Sequence, residues 1–133
     1  WRKTMTYTLD KTTNGIPFDQ VVAATKAALA SNGFGVLTEI DVRATMNKKL
    51  DVDIPDYLIL GACNPKMALE AMKIEPKVGA MLPCNVIVRS LEGGAIMVSA
   101  IDPVASMQAI ENQQLKTVAA HVRSLLEQAI ASV

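Results

Sequence analysis

The fold is decided by the stretch YLILGACNP, residues 57–65. Its first seven residues are apolar or small at every position, which predicts a strand over Tyr57–Cys63 that is buried on both faces. Asn64 is a favourable N-cap and Pro65 a favourable first helical residue, so we expect a helix to follow immediately and to end near Met72. A buried strand that leads directly into a helix indicates an architecture that mixes α and β elements.

Alternation and helical periodicity predict the elements on either side of this stretch. Strict alternation of threonine with apolar residues predicts a first strand over Thr4–Leu9, and the polar residues over Asp10–Gly15 predict a turn. The remaining predictions are a helix over Phe18–Ser31, a strand over Val36–Val42, a charged helix over Arg43–Leu50, strands over Cys84–Arg89 and Ala95–Ile101, and helix from Asp102 to the C-terminus with a break near Glu111.

The second predicted strand has a simple alternation with a polar side and a mostly apolar side. The positions expected to share the apolar side are Val36, Thr38, Ile40 and Val42. Glu39 and Asp41 fall on the opposite side, so we expect that side to face away from the core.

The order of the elements predicts the fold class. Strands dominate the middle of the chain and amphipathic helices flank them, which is typical of an α+β fold. We expect a single antiparallel sheet of about five strands with helices packed on one face. The other face would be partly solvated or would cover a partner chain. No linker or internal repeat interrupts the chain, so residues 1–133 are predicted to form one domain.

Composition excludes several classes of protein. Half of the residues are hydrophobic and the formal net charge is zero, which argues against disorder and against a phosphate-binding surface for nucleic acid. The apolar runs are too short to span a membrane, so no membrane partner is expected. The lack of a visible targeting segment favours the cytoplasm, although removal of a signal peptide before Trp1 is compatible with the sequence.

The two cysteines are the main candidates for chemistry. Cys63 ends the central strand and Cys84 begins the next, so antiparallel pairing of these strands would bring both thiols to one edge of the sheet. Cys63 also precedes a helix N-terminus, which favours a thiolate. Asn64 and Asn85 would be neighbouring hydrogen-bonding groups, and Met81 is a third soft ligand for a metal. The alternative is that both cysteines are small buried apolar residues.

Other residues offer weaker signals. The single histidine, His121, lies beside the apolar stripe of the last helix and is interpreted as a boundary residue. The spacing of 21 residues between the cysteines matches no zinc-binding pattern. Common nucleotide-binding, zinc-protease and nucleophile motifs are absent from the sequence.

Several short segments resemble one protein family. The segments GACNP (61–65) and LPCNV (82–86) resemble the bacterial and archaeal family called domain of unknown function 302, or DUF302. Weaker matches are Gly33–Gly35, Ile40-Asp41 and Asp102-Pro103. The resemblance implies a β-α-β-β-β-β-α core like that of the TATA-binding-protein-like folds, with extra helices and often a homodimer.

The resemblance does not imply DNA binding, because a fold does not carry a function. It implies no established activity or cofactor. The residues to which it points are Cys63, Asn64, Pro65, Pro83, Cys84 and Asn85.

Two functions from different classes follow from these observations. The first is a non-catalytic module that binds a small ligand or a partner, with a homodimer built through the sheet or the helices. The second is thiol chemistry at Cys63 and Cys84: redox exchange, sulfur transfer, or binding of a soft metal or haem. The composition favours the binding module, because the chain has few polar groups that could take part in catalysis.

Overall fold

A computed structural model describes residues 6–133 and confirms the predicted α+β fold. The strands are β1 (Thr8–Thr13), β2 (Gly35–Asp41), β3 (Tyr57–Cys63), β4 (Cys84–Ser90) and β5 (Ile96–Ile101). The helices are α1 (Phe18–Ser31), α2 (Val42–Leu50), α3 (Pro65–Ile74), α4 (Pro103–Ser106) and α5 (Gln113–Ala131). Short 3₁₀ turns occupy Pro76–Met81 and Glu92–Gly94.

The five strands form one sheet in the order β1-β5-β4-β3-β2, and every neighbouring pair is antiparallel. α1 and α5 pack against each other and contact β1, β4 and β5. Helices therefore cover one face of the sheet, here called the covered face, and the opposite face is called the open face. Within residues 6–133 no helix is long and apolar enough to span a membrane.

Alternate residues of the three central strands build the core on the covered face. The side chains without solvent exposure there are Leu60 and Ala62 on β3, Val86 and Val88 on β4, and Val98 and Ala100 on β5. Their direct cross-strand pairing places them in continuous rows beneath the helices. Burial of these rows is the main favourable contribution to folding.

Polar side chains fix where the helices begin. The Asn64 Oδ1 accepts a hydrogen bond from the Met67 amide at 3.2 Å, as expected of an N-cap. The Asn112 Oδ1 accepts one from the Leu115 amide at 3.1 Å, and α5 begins at the next residue. The predicted break near Glu111 is therefore confirmed.

The first strand lies further along the chain than its alternation predicted. β1 continues through Thr13, where a turn was expected from Asp10, and residues 4 and 5 of the predicted strand lie outside the described residues. Six residues of β1 pair with β5. The polar sequence is tolerated because the Lys11 Nζ donates to the carbonyl oxygens of Ala131 (2.8 Å) and Val133 (2.6 Å) at the end of α5.

A register shift divides β2 and changes which residues share a face. Val36 pairs with Ala62, whereas Thr38 pairs with Gly61, so the two β2 side chains lie on opposite faces. The prediction that they share one face is therefore wrong. The register places Ile40, 48% exposed, on the open face beside Ile59.

Glu39, on the covered side of β2, is not directed away from the helices. Its carboxylate lies 2.9 Å from the ammonium group of Lys26 on α1. The ion pair ties the edge of the sheet to that helix, so the side expected to face away from the core faces α1 instead.

Candidate functional site

An apolar crevice lies at the end of the sheet where β3 ends and β4 begins. α3 forms one wall, α5 forms another, and the turn after α4 closes a third side. The side chains that shape it include Phe34, Ala68, Leu82, Leu115, Val118 and Val122. The sulfur-bearing side chains that line it are Cys63, Cys84, Met67 and Met107.

The enclosed volume of the crevice is about 30 Å³. A space of this size accommodates a group of one or two heavy atoms, because one water needs roughly 10–15 Å³ by the same measure. Organic ligands generally occupy about 300–1,000 Å³. The crevice therefore has room only for a group of this size, and it would have to open to enclose a whole organic molecule.

The two cysteines line the crevice but are not close to each other. Cys84 pairs in register with Ala62, so Cys63 is the next residue along β3 and not the direct cross-strand partner of Cys84. The prediction of a paired thiol site is therefore wrong, because the two cysteines line different parts of the crevice wall. Both cysteines are free.

The environment of Cys84 determines its protonation state. The residue is buried, and burial raises the pKa of its thiol to about 11 because the thiolate would lose its hydration. Cys84 is consequently a neutral thiol at pH 7. Cys63 is only partly buried, and thiol chemistry at this residue stays a prediction.

The two asparagines predicted at the site have different positions. Asn64 lines the crevice, but its Oδ1 already caps α3 through the Met67 amide. Asn85 is exposed and pairs in register with Gly61, so its side chain lies on the open face. Only Asn64 contributes to the crevice, and it does so mainly by starting the helix that forms one wall.

The methionines that line the crevice are not the one that the sequence suggested. Met81 is 40% exposed in the turn before β4 and is not part of the crevice wall. Met67 and Met107 are 8% and 6% exposed and do line it. Met67 was detectable, because it lies four residues before Ala71 on the same side of the predicted helix, and this spacing marks a buried helix face. Met107 was not, because it lies in the irregular segment after α4.

Metal ligation has limited support from the arrangement of side chains. Within residues 6–133, no three or more His, Cys, Asp or Glu residues are grouped as metal ligands. His121 is exposed on α5 and does not line the crevice. A soft-metal site that includes Cys63, Cys84 or Met81 stays a prediction.

Comparisons with known proteins agree with this description. Residues 9–133 match the family model described as domain of unknown function DUF302. A crystal structure of an uncharacterised conserved DUF302 protein from Bacillus stearothermophilus is similar, with 25% sequence identity and a TM-score of 0.84. The similarity covers 95% of each chain. No curated protein matches the sequence.

Proposed function

The chain belongs to the DUF302 family, and we propose that it is a non-catalytic binding module whose crevice receives a small apolar group of its ligand. The observation that carries this proposal is the chemistry of the crevice wall, which is apolar or sulfur-bearing apart from Asn64. Because the Asn64 side chain already caps α3, the crevice favours apolar contact over polar recognition.

The state of Cys84 supports binding rather than thiol chemistry. A nucleophilic or metal-binding cysteine acts as the thiolate, and the raised pKa of Cys84, about 11, disfavours that form at pH 7. A neutral buried thiol behaves as a small polarisable apolar group. Together with the thioethers of Met67 and Met107, it gives the crevice a soft and adaptable wall.

The narrowness of the crevice limits the kind of group that enters it. An unbranched hydrocarbon end fits between α3 and α5 more readily than a ring, because the enclosed volume is only about 30 Å³. We therefore expect the ligand to present the end of an aliphatic chain, with the rest of the molecule outside.

The proposal is tested with protein labelled with carbon-13 at the methionine methyl groups. Hexanol is titrated as the aliphatic probe, and the methyl signals of Met67 and Met107 are expected to shift with the same saturation curve. Met72 and Met81, 41% and 40% exposed, are internal controls that should stay unchanged. Equal shifts at all four positions would indicate non-specific contact and would overturn the proposal.

A filled crevice provides the matching variant. Ala68→Leu places three more carbon atoms in the crevice wall and is expected to abolish the hexanol-dependent shifts. Ala120→Leu is the control, because Ala120 is exposed on α5. Binding that survives Ala68→Leu in a folded protein would show that the probe is bound elsewhere.

The thiol alternative rests on Cys63, which is partly buried at the start of α3. Alkylation with iodoacetamide across pH discriminates the two functions. For a binding module, neither thiol reacts rapidly below about pH 8. Rapid reaction of Cys63 well below that pH would favour thiol chemistry instead.

A further inference from the structure

A second concave site lies on the open face, away from the crevice. This open-face depression has a volume of about 340 Å³ and is lined by side chains of β1, β3, β4 and β5 together with Tyr7. The volume lies within the range of about 300–1,000 Å³ that small organic ligands occupy. The side chains that matter for its chemistry are Tyr7, Asp10, Tyr57, Arg89 and Met97.

The register of the sheet places one cation in the depression. Tyr57 pairs directly with Arg89, and Arg89 pairs with Met97, so the three side chains form one row across β3, β4 and β5. The Arg89 Nη2 lies 3.5 Å from the Met97 Sδ, a weak acceptor that leaves most of the guanidinium donors available.

Arg89 differs from the other arginines in the described part of the chain. Arg43 pairs with Asp53 and Asp56, and Arg123 pairs with Asp102 and Glu127. Arg89 has no carboxylate partner within residues 6–133 and is partly buried beside Tyr57, its cross-strand partner. A planar guanidinium in this setting is suited to a carboxylate, which it binds through two parallel hydrogen bonds.

The opposite side of the depression carries an acceptor. Asp10 on β1 accepts a hydrogen bond from the Thr8 hydroxyl at 3.2 Å and is otherwise exposed. β5 lies between β1 and β4, and Asp10 pairs with Ser99 whereas Arg89 pairs with Met97, so Asp10 and Arg89 are two strand spacings apart and offset by two residues along the strands. Their Cα atoms are therefore roughly 12 Å apart. The long Arg89 side chain spans part of this distance, and the remainder suits a ligand with one six-membered ring.

From this arrangement we infer that the open-face depression binds a small aromatic carboxylate that carries a hydrogen-bond donor at its far end. Arg89 binds the carboxylate, the rings of Tyr7 and Tyr57 contact the aromatic ring, and Asp10 accepts from the donor. The inference is independent of the proposed function, because it uses none of the crevice residues.

The probe for this site is 4-hydroxybenzoate, added to nitrogen-15-labelled protein and followed by amide chemical shifts. Shifts are expected at β1, β4 and β5 around the depression, and the benzamide analogue, which lacks the charge, should bind at least about tenfold more weakly. Arg89→Gln is expected to remove this preference for the charged probe. Lys48→Gln is the control, because Lys48 is an exposed cation on α2.

The contact between Asp10 and the hydroxyl group of 4-hydroxybenzoate is tested separately with the Asp10→Asn variant. The unmodified protein should bind 4-hydroxybenzoate more tightly than benzoate by a few-fold, as expected of one hydrogen bond to a charged acceptor. Asp10→Asn should reduce that ratio while leaving the preference for benzoate over benzamide intact. Matching circular dichroism spectra establish that both variants are folded.

Three outcomes would overturn the inference. Binding that is unchanged by Arg89→Gln would show that the guanidinium does not hold the carboxylate. A dimer that dissociates in the Arg89→Gln variant during sedimentation would assign the depression to a second copy of the chain. Shifts of the Met67 methyl signal would place the probe in the crevice and would likewise contradict the inference.

Discussion

The two faces of the sheet are made by alternate residues of the same strands, yet their chemistry is different. On the covered face, Leu60, Val86 and Val98 have no solvent exposure. On the open face, Ile59 and Ile87 remain partly exposed and lie beside polar side chains. The alternation of side chains with a period of two therefore separates the buried core from the more polar, partly exposed face along each strand.

Charged groups are also distributed differently between the faces. On the covered face they occur at the two edge strands and have partners: Lys11 donates to carbonyl oxygens at the end of α5, and Glu39 pairs with Lys26. On the open face, Arg89 lies on the central strand β4 without a carboxylate partner in the described residues. The comparison indicates that the charged groups of the covered face contribute to holding the sheet and helices together, whereas Arg89 on the open face does not.

The largest expected difference in stability is between variants of two neighbouring residues of β3. Leu60→Ala should lower the free energy of unfolding by about 2–5 kcal/mol, because it leaves a cavity in the covered face. Ile59→Ala should cost only about 1 kcal/mol, because Ile59 is partly exposed on the open face. Urea unfolding of the two variants measures both values. Equal losses would mean that the open face is as well packed as the covered one.

The next largest loss of stability is expected from a substitution at Gly61, a position on the open face where the backbone is closely approached. A Cβ at Gly61 would lie 2.9 Å from the Pro83 Cγ and would overlap the Thr38 Oγ1, so Gly61→Ala should cost about 1–3 kcal/mol. Gly35→Ala is the control, since nothing surrounds a Cβ there. Chemical denaturation compares them, and recovery of stability in the Gly61→Ala, Thr38→Ala double variant identifies the clash.

Cys84 should make stability fall at high pH. Its thiol pKa is about 11 in the folded protein against 9.0 for an unperturbed thiol, so the unfolded chain loses its proton first as pH rises. This contribution is fully present below pH 9 and is lost as pH approaches 11, by on the order of 1 kcal/mol at pH 10. Unfolding measured from pH 8 to 10.5 should be less pH-dependent in Cys84→Ala than in the parent protein. If the stability of both proteins changed equally with pH, the thiol of Cys84 would have the same pKa in the folded and the unfolded chain, and the prediction would be wrong.

The smallest predicted difference in stability is between variants of the two asparagines, Asn64 and Asn85. Asn64→Ala should lower stability by about 1 kcal/mol, because the N-cap hydrogen bond to the Met67 amide is lost. Asn85→Ala should change stability by less than about 0.5 kcal/mol, because its side chain is exposed on the open face. Thermal unfolding of both variants tests this. A similar loss in each would mean that Asn85 makes an interaction of its own.

Much of the fold was predictable because its signals are local. The bounds of α1 and β3 agree with their predictions, since a proline before α1 and a cap-proline pair after β3 punctuate the chain. β1 was misplaced because its polar residues from Asp10 to Thr13 form a strand only through pairing with β5, which is distant in the sequence. The register shift in β2 has no local sequence signal and depends on the pairing with β3.

The candidate site was predictable in location but not in composition. The sequence placed Cys63 and Asn64 at the end of a buried strand, and both line the crevice. It did not assign Met107, because that residue reaches the crevice through the tertiary packing of the segment after α4. Homodimer formation stays a prediction.

By itself, the sequence determined which segments are strands and helices and which family the chain resembles, because alternation, caps and prolines act over a few residues. Only the tertiary structure decided which side chains meet. Strand pairing placed Ala62, and not Cys63, directly opposite Cys84 and brought Tyr57, Arg89 and Met97 into one row. The physical reason is that the faces of a sheet depend on register, and register is set by pairing between distant strands.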